Sequence, residues 1–184
     1  MPFSLSIDDT LDLRLLGLED AAKMSELIHG NRAFLRQWLP WVDGEHRPSD
    51  SAKVINLWRQ SYAKGSGFSL GIIFQNELVG IIGYHGFDQV NRITSIGYWL
   101  IESETGKGIM TRSIRTLMNY AIEERNMNRI FVRCATGNTA SRAIPERLGF
   151  THEGTQRDAE WLYDHYVNLE LYAILAHEWT TEHN

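Results

Sequence analysis

GYWLIESETGKGIMTRSIRTLMNYA, residues 97–121, runs from an apolar segment through Gly106-Lys107-Gly108 into residues with apolar side chains at helical spacing. The reading is a strand over 94–101, a glycine-rich turn, and a helix over 108–124. A phosphate-binding loop of the Walker type needs a glycine five residues before the Gly-Lys pair, and that position is Ile101. A dinucleotide fingerprint needs a third glycine where Thr111 stands. What remains is a strand, a turn that lets backbone come close, and the free N–H groups of a helix N-terminus. That arrangement suits a phosphate. The alternative is a plain connection made of flexible residues.

Outward from this stretch the chain reads as alternating elements. A first strand is expected over 11–16. A helix capped by Asp20 follows, with Met24, Leu27 and Ile28 on one face. Residues 31–48 are irregular and hold Trp38 and Trp41 around Pro40. A second helix runs from Ser49 to about Lys64. Two apolar runs, 68–74 and 78–87, joined by Gln75-Asn76-Glu77, read as a hairpin. After the glycine turn and its helix come a strand over 129–136, a short helix over 139–148, and a β-rich remainder from Thr151 that includes 163–175. The order β-α-α-β-β-β-α-β-α-β-β predicts an α/β (α+β) fold. Its central sheet is mixed, with hairpins in the middle and one helical crossover between parallel strands. No repeat or Pro/Gly/Ser linker divides the chain, so residues 1–184 are read as a single domain.

Composition narrows the function classes. Hydrophobic residues make up 43% and charged residues 22%, enough for a full core in a soluble protein. A net charge of −5 argues against non-specific nucleic-acid binding, and any anionic ligand must be held by local groups. A single cysteine, Cys134, excludes an internal disulfide and a multi-cysteine zinc site. No metal cofactor is expected. The first residues lack the pattern of a secretion leader, and no apolar run has the length of a membrane helix, so a cytoplasmic protein is expected. Self-association is left open.

The run 97–121 resembles motif A of the GCN5-related N-acetyltransferases (GNAT), and RIFVRCATGNTASRAIPERLGFTHEG, residues 129–154, is similar to their second signature. WLPW at 38–41 and AEWLYDHYVNLELYAIL at 159–175 narrow the resemblance to the RimJ/RimL-like branch, over essentially the whole chain. The resemblance implies a GNAT-like domain holding acetyl-CoA between two splayed parallel strands. It also implies direct acetyl transfer to an amine in a ternary complex, with the N-terminus of a ribosomal protein as acceptor. On this chain the family's turn pattern falls on Thr105, Gly108 and Met110, where a long polar side chain and a small residue are usual at the first and last. The cofactor is then expected along Leu100, Ile101, Thr105, Gly106, Lys107, Gly108, Ile109 and Met110. Asn138 is expected at the pantetheine amide and a backbone N–H near Leu100 at the developing oxyanion.

Ser141 matches the branch's serine near the sulfur and is assigned as donor to the departing thiolate; its other reading is a helix cap. Glu160 matches the late acidic position and is assigned as base, against the more usual fate of a solvated carboxylate. His85 is titratable near neutrality but ranks below it. Trp41 is expected to wall the acceptor site, and Glu102, with Glu104, to attract a cationic acceptor. Cys134, inside an apolar strand, is expected in the core. Two further functions stay open: acetylation of a small amine such as a polyamine or aminoglycoside, and non-catalytic acyl-CoA binding.

Overall fold

The computed structural model describes residues 3–44 and 46–180. Eight strands form one sheet. In chain order they are β1 (Ser4–Asp8), β2 (Leu11–Arg14), β3 (Phe68–Phe74), β4 (Glu77–Asp88), β5 (Ile93–Leu100), β6 (Arg129–Ala135), β7 (Thr151–Leu162) and β8 (His165–Leu175). Their order across the sheet is β1-β2-β3-β4-β5-β6-β8-β7. Every neighbouring pair is antiparallel except β5–β6, the pair joined by the helical crossover. The mixed, mostly antiparallel sheet expected from the sequence is the one observed.

Five helices flank it: α1 (Ala21–Gly30), α2 (Arg32–Leu35), α3 (Pro48–Lys64), α4 (Ile109–Asn119) and α5 (Thr139–Arg147). Local chemistry explains most boundaries. Gln75 and Asn76, both at positive φ, make the tight turn between β3 and β4. Pro48 opens α3 and Gly65, at φ 66°, closes it. In α4, Ile109, Met110, Ser113, Ile114, Leu117 and Met118 form one buried stripe. It packs on the sheet face carrying Leu13, Leu70, Ile82 and Ile130, all fully buried. Each such side chain contributes about 1.5–3 kcal/mol relative to exposure. The opposite face meets α1, α2 and α3 through Leu16, Ile28, Ile55 and Ile81.

Three expectations needed correction. A strand precedes the one expected first: β1, SLSID, pairs with β2 at the sheet edge. It is short and half polar because only Leu5 and Ile7 pack inward. Within the irregular stretch 31–48, a single helical turn, α2, buries Leu35. The crossover helix is α-helical to Asn119 and then widens into a π turn, Tyr120–Glu124.

The parallel pair opens almost at once. Ile93, Thr94 and Ser95 pair with Arg129, Ile130 and Phe131, and beyond them β5 and β6 share no register. Beyond Ser95 the two strands diverge, with the 106–108 turn after one and the start of α5 after the other.

Candidate active site

Two cavities meet at the end of this gap and share Trp38, Tyr98, Trp99, Asn138 and Ser141 on their walls. The first, about 700 Å³, lies over the 105–110 turn and the start of α5. Gly106 and Gly108 stand at φ 75° and 74°, and Gly108 is the residue before α4. A Cβ at either would meet nothing within 4 Å, so backbone conformation rather than crowding requires glycine there. Ile101 N–H donates to the Val79 carbonyl, 2.9 Å away, on the β4 side. Alternation along an extended strand therefore turns the Leu100 N–H toward the gap.

At the other side of the gap, Asn138 caps α5, its side-chain oxygen accepting from Ser141 N–H at 3.1 Å. That leaves the NH2 end of Asn138 as the donor it has to offer. Ser141 does not itself cap the helix. Its hydroxyl lies 3.1 Å from the Tyr98 hydroxyl. Pro145, inside α5, has no N–H to give the Ser141 carbonyl. Tyr98 Oη donates to that carbonyl at 3.3 Å instead. A proline within a helix thus creates a place for a hydroxyl from β5. Burial pushes the Tyr98 hydroxyl well above its ordinary range, so it remains a neutral donor.

The second cavity, about 640 Å³, lies on the α1/α3 side of the sheet. Its aromatic walls include Trp41, Trp58 and Trp99, and its polar residues include Ser51, His85, Arg133 and Glu160. Both His85 and Glu160 sit where strand register slips: between Tyr84 and Phe87 on β4, and between Gln156 and Glu160 on β7. Bulges re-aim side chains, which is how two strand residues come to point into one cavity. Nδ1 of His85 lies 3.0 Å from the Ser95 hydroxyl, and a Cβ on Gly97 would fall 2.4 Å from its Nε2. Gly97 is thereby needed for the ring's position. Burial lowers the His85 pKa, and Arg133 lowers it further. Burial raises that of Glu160, while Arg133 opposes the rise.

Residues 34–41 form the roof. The Tyr163 hydroxyl, from the β7–β8 turn, donates to the Leu39 carbonyl at 2.5 Å and accepts from Val42 N–H at 3.2 Å. Arg36 lies over the Tyr163 ring, 3.9 Å from its centre. Trp38 packs at 3.4 Å from where a Cβ of Gly137 would be, closing over the turn into α5.

Of the residues singled out in the sequence, Leu100, Thr105, Gly106, Gly108, Ile109, Met110, Asn138 and Ser141 line the first cavity, and Trp41 and Glu160 the second. Met110, where a small residue is usual, packs its side chain into the core beneath the turn. Ile101 also packs into the core rather than lining a cavity. Lys107 extends to Glu104, 3.0 Å away. Glu102 lies in a 3-10 turn outside both cavities, its backbone N–H bonded to Asn31. Cys134 is buried as expected, yet it lines the acceptor-side cavity, with burial raising its pKa to about 11. Tyr98, Arg133 and Ser51 were not singled out. Tyr98 belongs to the quoted motif, but nothing in its spacing marks a partner 43 residues away.

A parallel pair parts over a glycine turn, with a helix N-terminus on each side of the opening, and the family match that follows makes this the cleft of an acetyl-CoA-dependent acyltransferase. The acetyltransferase (GNAT) domain family matches residues 10–151, and the chain belongs to that family. It is similar to "Putative ribosomal N-acetyltransferase YdaF" of Bacillus subtilis (strain 168), 37% identical over 98% of this chain and 99% of the relative. The ribosomal-protein-serine acetyltransferase of Escherichia coli (strain K12) is 27% identical over 94% of this chain and 97% of its own. Among solved structures, the ribosomal L7/L12 alpha-N-protein acetyltransferase RimL in complex with coenzyme A superposes with a TM-score of 0.90. It is 29% identical and covers 94% of this chain and 98% of that one; its coenzyme is disulfide-bonded to a cysteine.

Proposed function

We propose that the enzyme acetylates the N-terminal α-amino group of a ribosomal protein by direct transfer. The meeting of the two cavities at Tyr98 and Ser141 carries this reading, because donor and acceptor then reach one another without a covalent enzyme intermediate. The relatives named above supply the acceptor class. Acetyl-CoA brings the activated acyl group. The protein's part is to hold it along Leu100 and Gly106–Met110, to free the amine of its proton, and to stabilise charge as it develops.

Glu160 is the base in this reading. An α-amino group has a pKa near 7.7–8.0 and a lysine near 10.4, so at pH 7 deprotonation costs about 1 kcal/mol for the first and about 4.6 kcal/mol for the second. One carboxylate of raised pKa matches the smaller demand. The Leu100 N–H serves the oxyanion, and Ser141, oriented by Tyr98, donates to the leaving thiolate. Cys134, a buried thiol of raised pKa, is a poor nucleophile at neutral pH.

The test is thiol release with two versions of one ribosomal N-terminal peptide, one with a free α-amine and one blocked there but with a free lysine. Acetylation of the first only is expected. Faster turnover of the blocked peptide or of spermidine would overturn the assignment. Intact masses of ribosomal proteins from cells with and without the gene then identify the acceptor.

A further inference from the structure

Among the charged side chains of the acceptor cavity, some are already committed. Asp50 accepts from Lys53 at 2.9 Å. Arg133 and Glu160 are different. Among the described residues neither makes a hydrogen bond or an ion pair of its own, although they line the same cavity and carry opposite charge. They come from β6 and β7, with β8 between, and no ion pair joins them, so both remain free to meet an occupant of the cavity. The nearby imidazole of His85 faces Ser95, and burial and Arg133 both disfavour its protonation, so it does not neutralise Glu160. Of the other titratable groups facing the cavity, His46 Nε2 meets the Trp41 carbonyl at 2.9 Å, and Cys134 is a buried thiol. Arg133 and Glu160 are thus the charged groups that the cavity offers to an occupant.

The acceptor's chemistry fits this pair. A chain N-terminus carries an amine and, one carbon away, a carbonyl oxygen. A polyamine carries the amine alone. With the amine at Glu160, the carbonyl is the group left for the Arg133 guanidinium, which reaches the same cavity from β6, two strands away across β8. Arginine, with five N–H donors and no acceptor, suits that oxygen.

Resting on the N-terminal reading above, we propose that Arg133 holds the carbonyl oxygen of the acceptor residue whose amine is acetylated. Arg133 is then a specificity residue, and the cavity selects α-amino acyl groups over amines that lack the carbonyl. A site built to bond a polar group rejects the analogue without it far more strongly than a merely apolar pocket does.

The experiment compares wild type, Arg133→Met and Arg133→Lys with two acceptors, a serine-initiated tetrapeptide amide and butan-2-amine, which keeps the amine and has no oxygen for Arg133 to bond. Acetyl-CoA affinity by calorimetry reports folding and the donor site. In Arg133→Met the peptide KM is expected to rise at least about tenfold, the lower end of a hydrogen bond to a charged group at 1.4 kcal/mol per decade. Its kcat is expected to stay within about threefold, and kcat/KM for butan-2-amine within about twofold. Arg133→Lys, which keeps a donor and loses the planar fork, is expected between the two. A peptide KM within twofold of wild type would overturn the proposal. So would an equal loss for both acceptors, which would mean that Arg133 acts on Glu160 rather than on the substrate. Wild type that turns over butan-2-amine but not the peptide would overturn the N-terminal reading itself, and this inference with it.

Discussion

The two cavities are made in different ways. The donor side is centred on two short continuous segments, 104–112 and 137–147, each holding a helix start, with 34–39 and 98–100 beside them. The acceptor side draws on residues 38–41, His46, α1, α3 and strands β3 to β8, elements far apart in sequence, and its charged groups are side chains. Backbone-built sites depend on chain conformation, which a few glycines decide. Sites built from side chains depend on how distant elements are aimed. The first tolerates change in side-chain chemistry, and the second does not. An enzyme of this kind keeps one donor while its acceptor side is free to diverge.

The largest expected effect tests the acceptor side. Glu160→Gln should lower kcat/KM by about 10²-fold or more, the usual size of general-base loss. Acetyl-CoA affinity should be unchanged. Because burial holds the Glu160 carboxyl above its ordinary range, the acid limb of the wild-type profile should also sit above that range. The limb should vanish in the variant. An unchanged limb would assign the base elsewhere, with His85 next in line.

The donor side breaks through its backbone. At φ 74° a β-branched residue costs about 1–2 kcal/mol or more, so Gly108→Val should weaken acetyl-CoA binding by at least about tenfold. Gly108→Asn, which tolerates that conformation, should lose much less. Equal losses would mean that side-chain bulk rather than backbone governs the turn. Calorimetry on both proteins decides.

The turn between β6 and α5 also rests on a buried carboxylate. Glu170, 4% exposed, accepts from Thr136 and Thr155 hydroxyls at 2.8 Å and lies 2.6 Å from His152 Nε2. These hydrogen bonds, led by Thr136, hold its pKa down to about 2. A depressed carboxyl contributes stability above its unfolded pKa, near 4.3, and loses it as pH falls from there toward about 2. Glu170→Gln should therefore cost about 2–3 kcal/mol at neutral pH by chemical denaturation. The difference from wild type should shrink on acidification below pH 4.3. A constant difference would exclude the charge as its source.

Where the two sides touch, Tyr98→Phe should remove about 1 kcal/mol of hydrogen bonding to Ser141, lowering kcat by about fivefold with little change in acetyl-CoA affinity. The smallest effect is expected at Cys134. Although it lines the acceptor cavity, Cys134→Ala should keep activity within about threefold, with a modest stability loss from the removed volume. A trapped acetyl-cysteine would overturn direct transfer.

The contrast also governs what could be read in advance. The 106–108 turn and the α4 stripe are local patterns, and each appears in the structure where the spacing puts it; the cap of α5 falls on Asn138, not on Ser141. Glu102 was expected at the acceptor site because it is close in sequence to the turn; the 3-10 turn carries it outside both cavities. Arg133 read as one residue of an apolar strand, with no cue to the cavity it faces. β1 escaped notice because two inward side chains make too weak an alternation to stand out from a polar start.

The sequence by itself determined the class of protein through the resemblance of its motifs, and it marked the glycine turn and its helix, since helix starts and periodic apolar faces are properties of neighbours along the chain. Only the tertiary structure decided the acceptor side. Two register slips, a proline that frees one carbonyl for Tyr98, and a tyrosine hydroxyl gripping the 38–42 loop bring Glu160, His85, Arg133 and Trp41 to one cavity. Each of these depends on a contact between segments far apart in sequence, where local spacing carries no information about direction.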